Sequence, residues 1–161
     1  MYNVSMDMFE EEDIPSLSGI VKEALDSRRK NVNDPTQLGP LVLAYIGDTV
    51  FDLYVRTELV LSTGLTAHGL HMASAKKVCA AAQAESFRKV EDMLTEDELA
   101  VFRRGRNGHM GTIPKNASIS DYRTATGLEA VVGWLYLKGN DARINEIMRA
   151  ILTSGAEEKE Q

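Results

Sequence analysis

The most apolar helix candidate in this sequence carries a carboxylate at its centre. The segment from Leu41 to Val55 is hydrophobic at most positions, and Asp48 lies in its middle. Burying a lone carboxylate costs several kcal/mol unless it is paired or binds a cation. An acid retained at such a position is expected to have a functional role. Asp48 is therefore the first candidate functional residue.

A second apolar segment repeats this pattern. The stretch from Gly127 to Leu137 is apolar except for Glu129, and it contains a second glycine, Gly133. Each glycine costs a helix about 1 kcal/mol relative to alanine, which makes sense if another helix packs closely there. The two apolar helices are expected to pack together, so that Asp48 and Glu129 meet. The two carboxylates would repel unless a cation lies between them, and carboxylate oxygens with water suit Mg²⁺.

Simpler roles are open to each acid. A single buried carboxylate is most often satisfied by a buried arginine, a serine or a backbone group, whereas a pair beside basic residues favours a metal site. Asp52 lies one turn after Asp48 and could join the site. Arg56 follows one turn later, so a solvent-exposed ion pair between Asp52 and Arg56 is favoured.

Composition limits the class of protein. The chain has 161 residues, of which 43% are hydrophobic and 26% charged, which is typical of one globular domain. No segment approaches the length of a membrane span, and the acidic N-terminal region is unlike a signal peptide. The single cysteine, Cys79, excludes an internal disulfide and is expected to be a small core residue. We therefore expect a cytoplasmic protein with no membrane partner.

The pattern of caps and apolar positions predicts an all-α domain over residues 34–155. Residues 1–33 form an N-terminal extension that is expected to be partly disordered, and residues 156–161 form a polar tail. No alternating pattern is long enough for a sheet. Helices are predicted for Ser16 to Arg29, Pro40 to Leu61, Ala67 to Asp92 and Asp121 to Lys138, the last of these with Ser120 as its cap. A short helix opens at the Thr95–Glu98 capping box and ends near Arg106. The apolar face of a final helix holds Ile144, Ile147, Met148, Ile151 and Leu152.

Positive charge is concentrated in one region of an acidic chain. The net charge is −6, yet residues 103–123 contain five basic residues and one acid, for a local charge of +4. A compact basic patch on an acidic body is a plausible nucleic-acid footprint. The alternative is a solvated helix end whose arginines complement the helix dipole, and charge alone does not decide between them.

Several motifs together resemble a known family. Residues 45–51 (YIGDTVF) resemble the acidic signature of ribonuclease III, and residues 126–130 (TGLEA) resemble its second acidic motif. The resemblance is closer to the Mini-ribonuclease 3 subfamily. It extends from about Leu38 to Lys138 in matching order and spacing, through LAYIGD at 43–48, LH at 70–71, the stretch 78–85, RRGRN at 103–107, GT at 111–112 and PKN at 114–116.

The resemblance implies a homodimeric, ribonuclease III-like helical endonuclease. It would be a metal-dependent endoribonuclease that cleaves double-stranded RNA, with Asp48 and Glu129 as catalytic residues and Mg²⁺ ligands. It would mature the 5′ and 3′ ends of the 23S ribosomal RNA precursor. The alternatives are a non-catalytic RNA-binding relative and a helical interaction module without an RNA role. The residues expected to contact RNA are Arg103, Arg104, Arg106, Lys115, Asn116 and Arg123.

The sequence also departs from ribonuclease III in ways that affect the site. Ala44 and Thr126 stand where that family carries two further acids, so more of the metal shell is left to water and RNA phosphate. Only 22 residues follow Gly139, too few for a double-stranded RNA-binding domain of roughly 65 residues. The dimer interface is expected on the helix around Phe51 to Leu59 and on the alanine-rich helix that follows.

Overall fold

A computed structural model describes residues 16–25, 34–108, 111–113, 115–116 and 118–153. Every regular element within these ranges is helical, which confirms the predicted all-α fold. None of the described helices is long and apolar enough to cross a membrane. The helices are α1 (Leu17–Ala24), α2 (Pro40–Ser62), α3 (Ala67–Val78), α4 (Ala80–Val90), α5 (Glu96–Arg106), α6 (Ile119–Leu137) and α7 (Asp141–Thr153), with 3₁₀ turns at Pro35–Gln37 and Glu91–Met93.

Helix α6 is the centre of the fold. Helices α2, α4 and α5 all pack against it, and α7 follows it in the chain and packs on α4 and α6. Its side chains are buried around almost the whole circumference between residues 125 and 136, with Leu128, Val131 and Val132 fully enclosed. A helix that is apolar on every side is stable only inside a core, which is why the sequence shows no polar face here.

Helices α2 and α6 cross with their backbones in direct contact at two glycines. A Cβ atom at Gly47 would lie 1.7 Å from the carbonyl oxygen of Glu129, and one at Gly133 would lie 2.0 Å from the carbonyl oxygen of Leu43. No real side chain tolerates such distances, so only glycine allows this approach. The predicted close packing of the two apolar helices is confirmed.

Gly127 contributes to a second crossing, between α6 and α5. A Cβ atom there would lie 2.6 Å from the ring of Phe102, while one at Gly105 of α5 would lie 2.8 Å from the Cβ of Ala130. The glycines of α6 therefore face two different helices. One crossing positions the acidic segment of α2, and the other positions the arginines at the end of α5.

The predicted alanine-rich helix from Ala67 to Asp92 is wrong, because the chain breaks at Cys79. This residue has extended backbone angles (φ −67°, ψ 157°), ends α3 and caps the start of α4. Cys79 is also exposed, so its predicted place in the core is wrong. The cap of α6 is Ser118, which accepts a hydrogen bond from the amide of Asp121, rather than the predicted Ser120.

Part of the N-terminal extension is an ordered helix. The predicted helix over Ser16 to Arg29 is found as α1, with Ser16 as its cap, and it is shorter than predicted. The amide of Leu17 donates to Asp141 at 2.6 Å, and Lys22 donates to the carbonyl of Leu137 at 3.3 Å. These contacts anchor α1 where α6 ends and α7 begins. Residues 1–15, 26–33 and the polar tail lie outside the described residues.

A buried ion pair joins α5 to α7. Glu98 is 3% exposed and accepts two hydrogen bonds from the guanidinium of Arg143, at 2.8 and 2.9 Å. Its carboxylate also accepts from the backbone amide of Thr95, which completes the predicted capping box. Burial alone would raise the pKa of Glu98, but the bonds from Arg143 and Thr95 outweigh it and hold that pKa below its ordinary value.

We expect Arg143→Met to destabilise the fold by about 3–5 kcal/mol at neutral pH, because it leaves the Glu98 charge buried without a partner. The lowered pKa of Glu98 means that its contribution is present above the carboxyl's ordinary pKa and is lost as pH falls through the folded-state pKa. The difference from wild type should therefore shrink toward pH 3. Thermal unfolding between pH 3 and 7 measures it.

The matched control is Arg88→Met, which breaks a surface pair with Glu85, in which both side chains are more than half exposed, and a longer contact of 3.5 Å with Asp121. Such pairs contribute at most about 1 kcal/mol, so this variant should unfold close to wild type at every pH. An equal loss of stability in the two variants would contradict a special role for the buried pair of Glu98 and Arg143.

Candidate active site

The structure brings Asp48 and Glu129 into one open pocket. Asp48 comes from α2 and Glu129 from α6, and the pocket between them has a volume of about 490 Å³. The rest of its wall comes from the α3–α4 junction, the loop before α6 and the first turns of α6. These residues are Val78, Cys79, Ala80, Gln83, Asn116, Tyr122, Ala125 and Thr126.

The glycine crossing explains why the two acids meet. Gly47 immediately precedes Asp48, and its α-carbon packs on the peptide carbonyl of Glu129 itself. Gly133 lies one turn after Glu129 and packs on the carbonyl of Leu43, one turn before Gly47. Because the backbones touch at these points, the two carboxyl groups emerge beside one another from the edge of the contact.

The two acids have different environments. Asp48 is exposed, so the prediction that it is buried is wrong, while Glu129 is partly buried. Burial raises the pKa of Glu129 to about 8, and the negative charge of Asp48 adds to this shift. Without a cation, Glu129 thus retains a proton at neutral pH. A divalent cation would compete with that proton and cancel the repulsion, so two adjacent carboxylates in an open pocket fit Mg²⁺.

The two positions where ribonuclease III carries further acids hold residues that are mostly buried here. Ala44 is 6% exposed and belongs to the apolar core. Thr126 is 7% exposed, and its hydroxyl donates to the carbonyl of Tyr122 at 3.0 Å. The carboxylates that this pocket offers are therefore those of Asp48 and Glu129. Asp52 pairs with Arg56 at 2.7 Å, as the favoured sequence interpretation predicted.

Gln83 of α4 is a site residue that the sequence reasoning missed. It is 1% exposed, lines the pocket, and its side chain hydrogen-bonds to the carboxyl group of Glu129. Its signal in the sequence is its place in the stretch 78–85, one of the segments that resemble Mini-ribonuclease 3. The helical pattern alone gives no signal, because an isolated glutamine in a helix usually faces solvent.

The predicted RNA-binding residues separate into groups. Asn116 lines the pocket of the two acids. Arg106 and Arg123 share a neighbouring open pocket of about 480 Å³ with the first turn of α6. Arg103 and Lys115 are exposed.

Arg104 has a structural contact that the sequence did not indicate. Its guanidinium donates to the carbonyls of Thr36 and Leu38, at 3.0 and 2.9 Å, and so fixes the segment that leads into α2. The indole of Trp134 donates to the hydroxyl of Thr36 at 3.0 Å and ties the same segment to α6. Arg104 thus holds the start of the helix that carries Asp48.

Comparison with known proteins identifies the family. Residues 41–140 match the model of the ribonuclease III domain. The chain is 45% identical over 120 residues to Mini-ribonuclease 3 of Clostridium tetani, which covers 74% of this chain and 80% of that protein. It is 38% identical over 118 residues to Mini-ribonuclease 3 of Staphylococcus aureus, covering 72% and 88%. The chain belongs to the Mini-ribonuclease 3 branch of the ribonuclease III family.

The family resemblance extends to the fold. A crystal structure of a Fusobacterium nucleatum protein superposes with a TM-score of 0.68 at 27% identity, covering 74% of this chain and 95% of that one. The residues that match the ribonuclease III model include both pocket acids and all six predicted RNA-binding residues. Helices α1 and α7 lie outside the range that the ribonuclease III model matches.

Proposed function

We propose that this chain is a divalent-cation-dependent endoribonuclease that cleaves double-stranded RNA. The observation that carries the proposal is the meeting of Asp48 and Glu129 in one open pocket, beside a second pocket lined by Arg106 and Arg123. Membership of the Mini-ribonuclease 3 branch supports the choice of RNA as substrate.

Asp48 and Glu129 would hold Mg²⁺ between them. When bound, the ion would lower the pKa of a water molecule and stabilise negative charge on the phosphate, giving products with 5′-phosphate and 3′-hydroxyl ends. Asp48 is exposed, whereas Glu129 is partly buried with a raised pKa and would give up its proton when the cation binds. Asn116 lines the same pocket, and its side-chain amide would donate a hydrogen bond to an RNA phosphate.

The basic residues would bind the phosphates of the RNA backbone. Double-stranded RNA is recognised mainly through its shape, phosphates and 2′-hydroxyls, which suits arginine and lysine. Arg106 and Arg123 face one pocket next to the hydroxyl of Ser120, and Arg103 and Lys115 are exposed nearby in the chain. Arg104 would serve mainly to fix α2.

Replacing both Arg106 and Arg123 with glutamine is expected to weaken duplex binding at low salt. Each lost phosphate contact should reduce the slope of log affinity against log salt by about 1. Binding of a short RNA duplex to the Asp48→Asn protein, followed by fluorescence anisotropy across salt concentrations, measures the slope without cleavage. Arg104→Gln is the comparison: it should lower thermal stability and leave most of the salt slope intact. A double variant with the wild-type slope would exclude these arginines from the RNA contact.

We also propose a homodimer whose interface includes the helix named from the sequence, around Phe51 to Leu59. Phe51 and Leu59 themselves are 1% and 5% exposed and belong to the core, so other side chains of this helix would make the contact. The same helix instead exposes Leu53, Val60 and Leu61, at 49%, 59% and 82%. Exposed apolar side chains in this number mark a contact surface. Sedimentation equilibrium should give twice the 17.8 kDa of the chain, and a monomer at micromolar concentration would reject the proposal.

We propose the 23S ribosomal RNA precursor as the natural substrate. Cleavage would fall in the duplex formed by its paired 5′ and 3′ ends. Support for it comes from the family resemblance and from the preference of such a site for a duplex. Incubating the protein with a transcript of the paired precursor ends, and mapping the cut positions, tests it. Cleavage of unrelated duplexes at equal rates would argue against this substrate.

The test of the proposed activity is an end-labelled RNA duplex incubated with the protein and Mg²⁺. We expect cleavage of the duplex, its loss on adding EDTA, its return with excess Mg²⁺, and no cleavage of the separated strands. The competing hypothesis, a non-catalytic RNA-binding relative, predicts binding of the duplex without cleavage under every condition.

A further inference from the structure

We propose that Gln83 is a positioning residue of this site, which holds the Glu129 carboxylate toward Asp48 for joint binding of the divalent cation. The proposal rests on the proposed function, because it assigns Gln83 a task in the same metal centre. Gln83 lies on α4, the third helix that meets α2 and α6 at this pocket, and its side chain lines the pocket with both acids. It has no contact with the reacting phosphate in this assignment, and it acts through Glu129.

The hydrogen bond between Gln83 and Glu129 has a defined direction. The side chain of Gln83 interacts with the carboxyl group of Glu129, and its carbonyl oxygen Oε1 has no hydrogen-bond partner among the described residues. The bond to Glu129 is therefore made by the amide nitrogen Nε2, which donates to the carboxylate. A donor favours the ionised carboxylate, which is the form that binds a cation, and it fixes the orientation of the group.

Keeping glutamine at this position carries a cost in stability. Gln83 is 1% exposed, and its Oε1 is buried with no partner in the part of the chain that the structure describes. A buried acceptor without a hydrogen bond lowers stability, so an apolar residue of similar size would suit the fold better. Among the described residues, the polar contact of this side chain is the one to Glu129. The position therefore favours function over stability, as is common at active sites.

The test compares Gln83→Met with wild type in two measurements made on the whole protein. Methionine keeps the length and volume of glutamine but neither donates nor accepts. We expect the Tm of the metal-free variant to equal or exceed that of wild type, since the unpaired Oε1 is removed. We expect its Mn²⁺ dissociation constant, measured by electron paramagnetic resonance, to rise about 10- to 100-fold, the usual effect of removing a group that supports a metal ligand.

Two further variants separate positioning from packing. Gln83→Glu has the same shape but brings a third carboxylate to the pocket, so its metal-free Tm should fall at neutral pH and Mn²⁺ should raise that Tm by more than it does in wild type. Ser86→Ala is the matched control, because Ser86 is a buried polar residue of the same helix whose hydroxyl donates to the carbonyl of Ala82 at 2.9 Å. It should leave the Mn²⁺ dissociation constant unchanged.

Duplex cleavage gives an independent readout. For Gln83→Met we expect a lower kcat at fixed Mg²⁺, partial recovery at high Mg²⁺, and an unchanged KM for RNA. A wild-type Mn²⁺ affinity in Gln83→Met, or an affinity that falls only together with the metal-free Tm, would overturn the proposal. A wild-type protein that neither binds Mn²⁺ nor cleaves duplex would instead refute the proposed function.

Discussion

Replacing Asp48 with asparagine is expected to abolish cleavage of double-stranded RNA while the protein still folds and binds the duplex. Asp48 is exposed, so the substitution disturbs no packing, but it replaces one of the two carboxylates with a neutral amide. Losing about 4 kcal/mol of transition-state stabilisation by the metal corresponds to about a thousandfold lower rate. Single-turnover cleavage of a labelled duplex at saturating protein measures the loss.

Asp52→Asn is the control for this prediction. Asp52 lies one turn further along α2, and its carboxylate is engaged by Arg56 rather than by the pocket. Its variant should cleave at close to the wild-type rate. Above pH 8, where Glu129 is ionised, Asp48→Asn should also raise the Tm of the metal-free protein, because it removes a charge that repels Glu129. If Asp48→Asn processes RNA as wild type does, the enzymatic interpretation is wrong. If Asp48→Asn has a higher Tm and the wild-type protein cleaves no RNA, a non-catalytic RNA-binding relative is favoured.

The second large effect is expected from Gly47→Ala. A Cβ atom at this position would lie 1.7 Å from the backbone carbonyl oxygen of Glu129, and backbone cannot swing aside as the end of a side chain can. Helices α2 and α6 must separate, which we expect to cost about 3 kcal/mol or more despite the better helix propensity of alanine. For a chain of this size that is a fall in Tm of roughly 6–12 °C.

The same substitution should reduce activity more than its stability loss explains. The displaced atom belongs to Glu129, so the distance between the two carboxyl groups changes with the helix spacing. Gly64→Ala is the control, since a Cβ atom there meets nothing within 4 Å, and it should be neutral or slightly stabilising. Thermal unfolding and duplex cleavage at 10 °C below the lower Tm separate the two effects. A Gly47→Ala protein that matches Gly64→Ala in both would show that the close crossing does not position the site.

The meeting of the two acids could be predicted from the sequence because the signal is repeated. Each acid interrupts an apolar helix, and each helix carries a glycine at the position where the other helix arrives. Whether Asp48 is buried or exposed could not be predicted from the sequence. Helix α2 is apolar on nearly all sides, so its pattern does not show which side faces the core, and Tyr45 is in fact 82% exposed.

Other features depend on contacts between residues distant in sequence. The break at Cys79 lies in a run of good helix formers, and it turns α4 so that Gln83 reaches Glu129. In the sequence Arg104 belongs to a cluster of basic residues. In the structure it donates to the carbonyls of residues 66 and 68 positions earlier in the chain. Local pattern carries no information about such partners, which is why the site's supporting residues were missed while its two acids were found.

A crystal grown with Mn²⁺ and examined by anomalous scattering tests the central claim most directly, because it locates the cation without relying on activity. We expect one strong peak in the pocket of α2, α4 and α6, at about 2.0–2.3 Å from a carboxylate oxygen of both Asp48 and Glu129. A protein that cleaves duplex RNA but holds the cation away from either carboxylate would contradict the account.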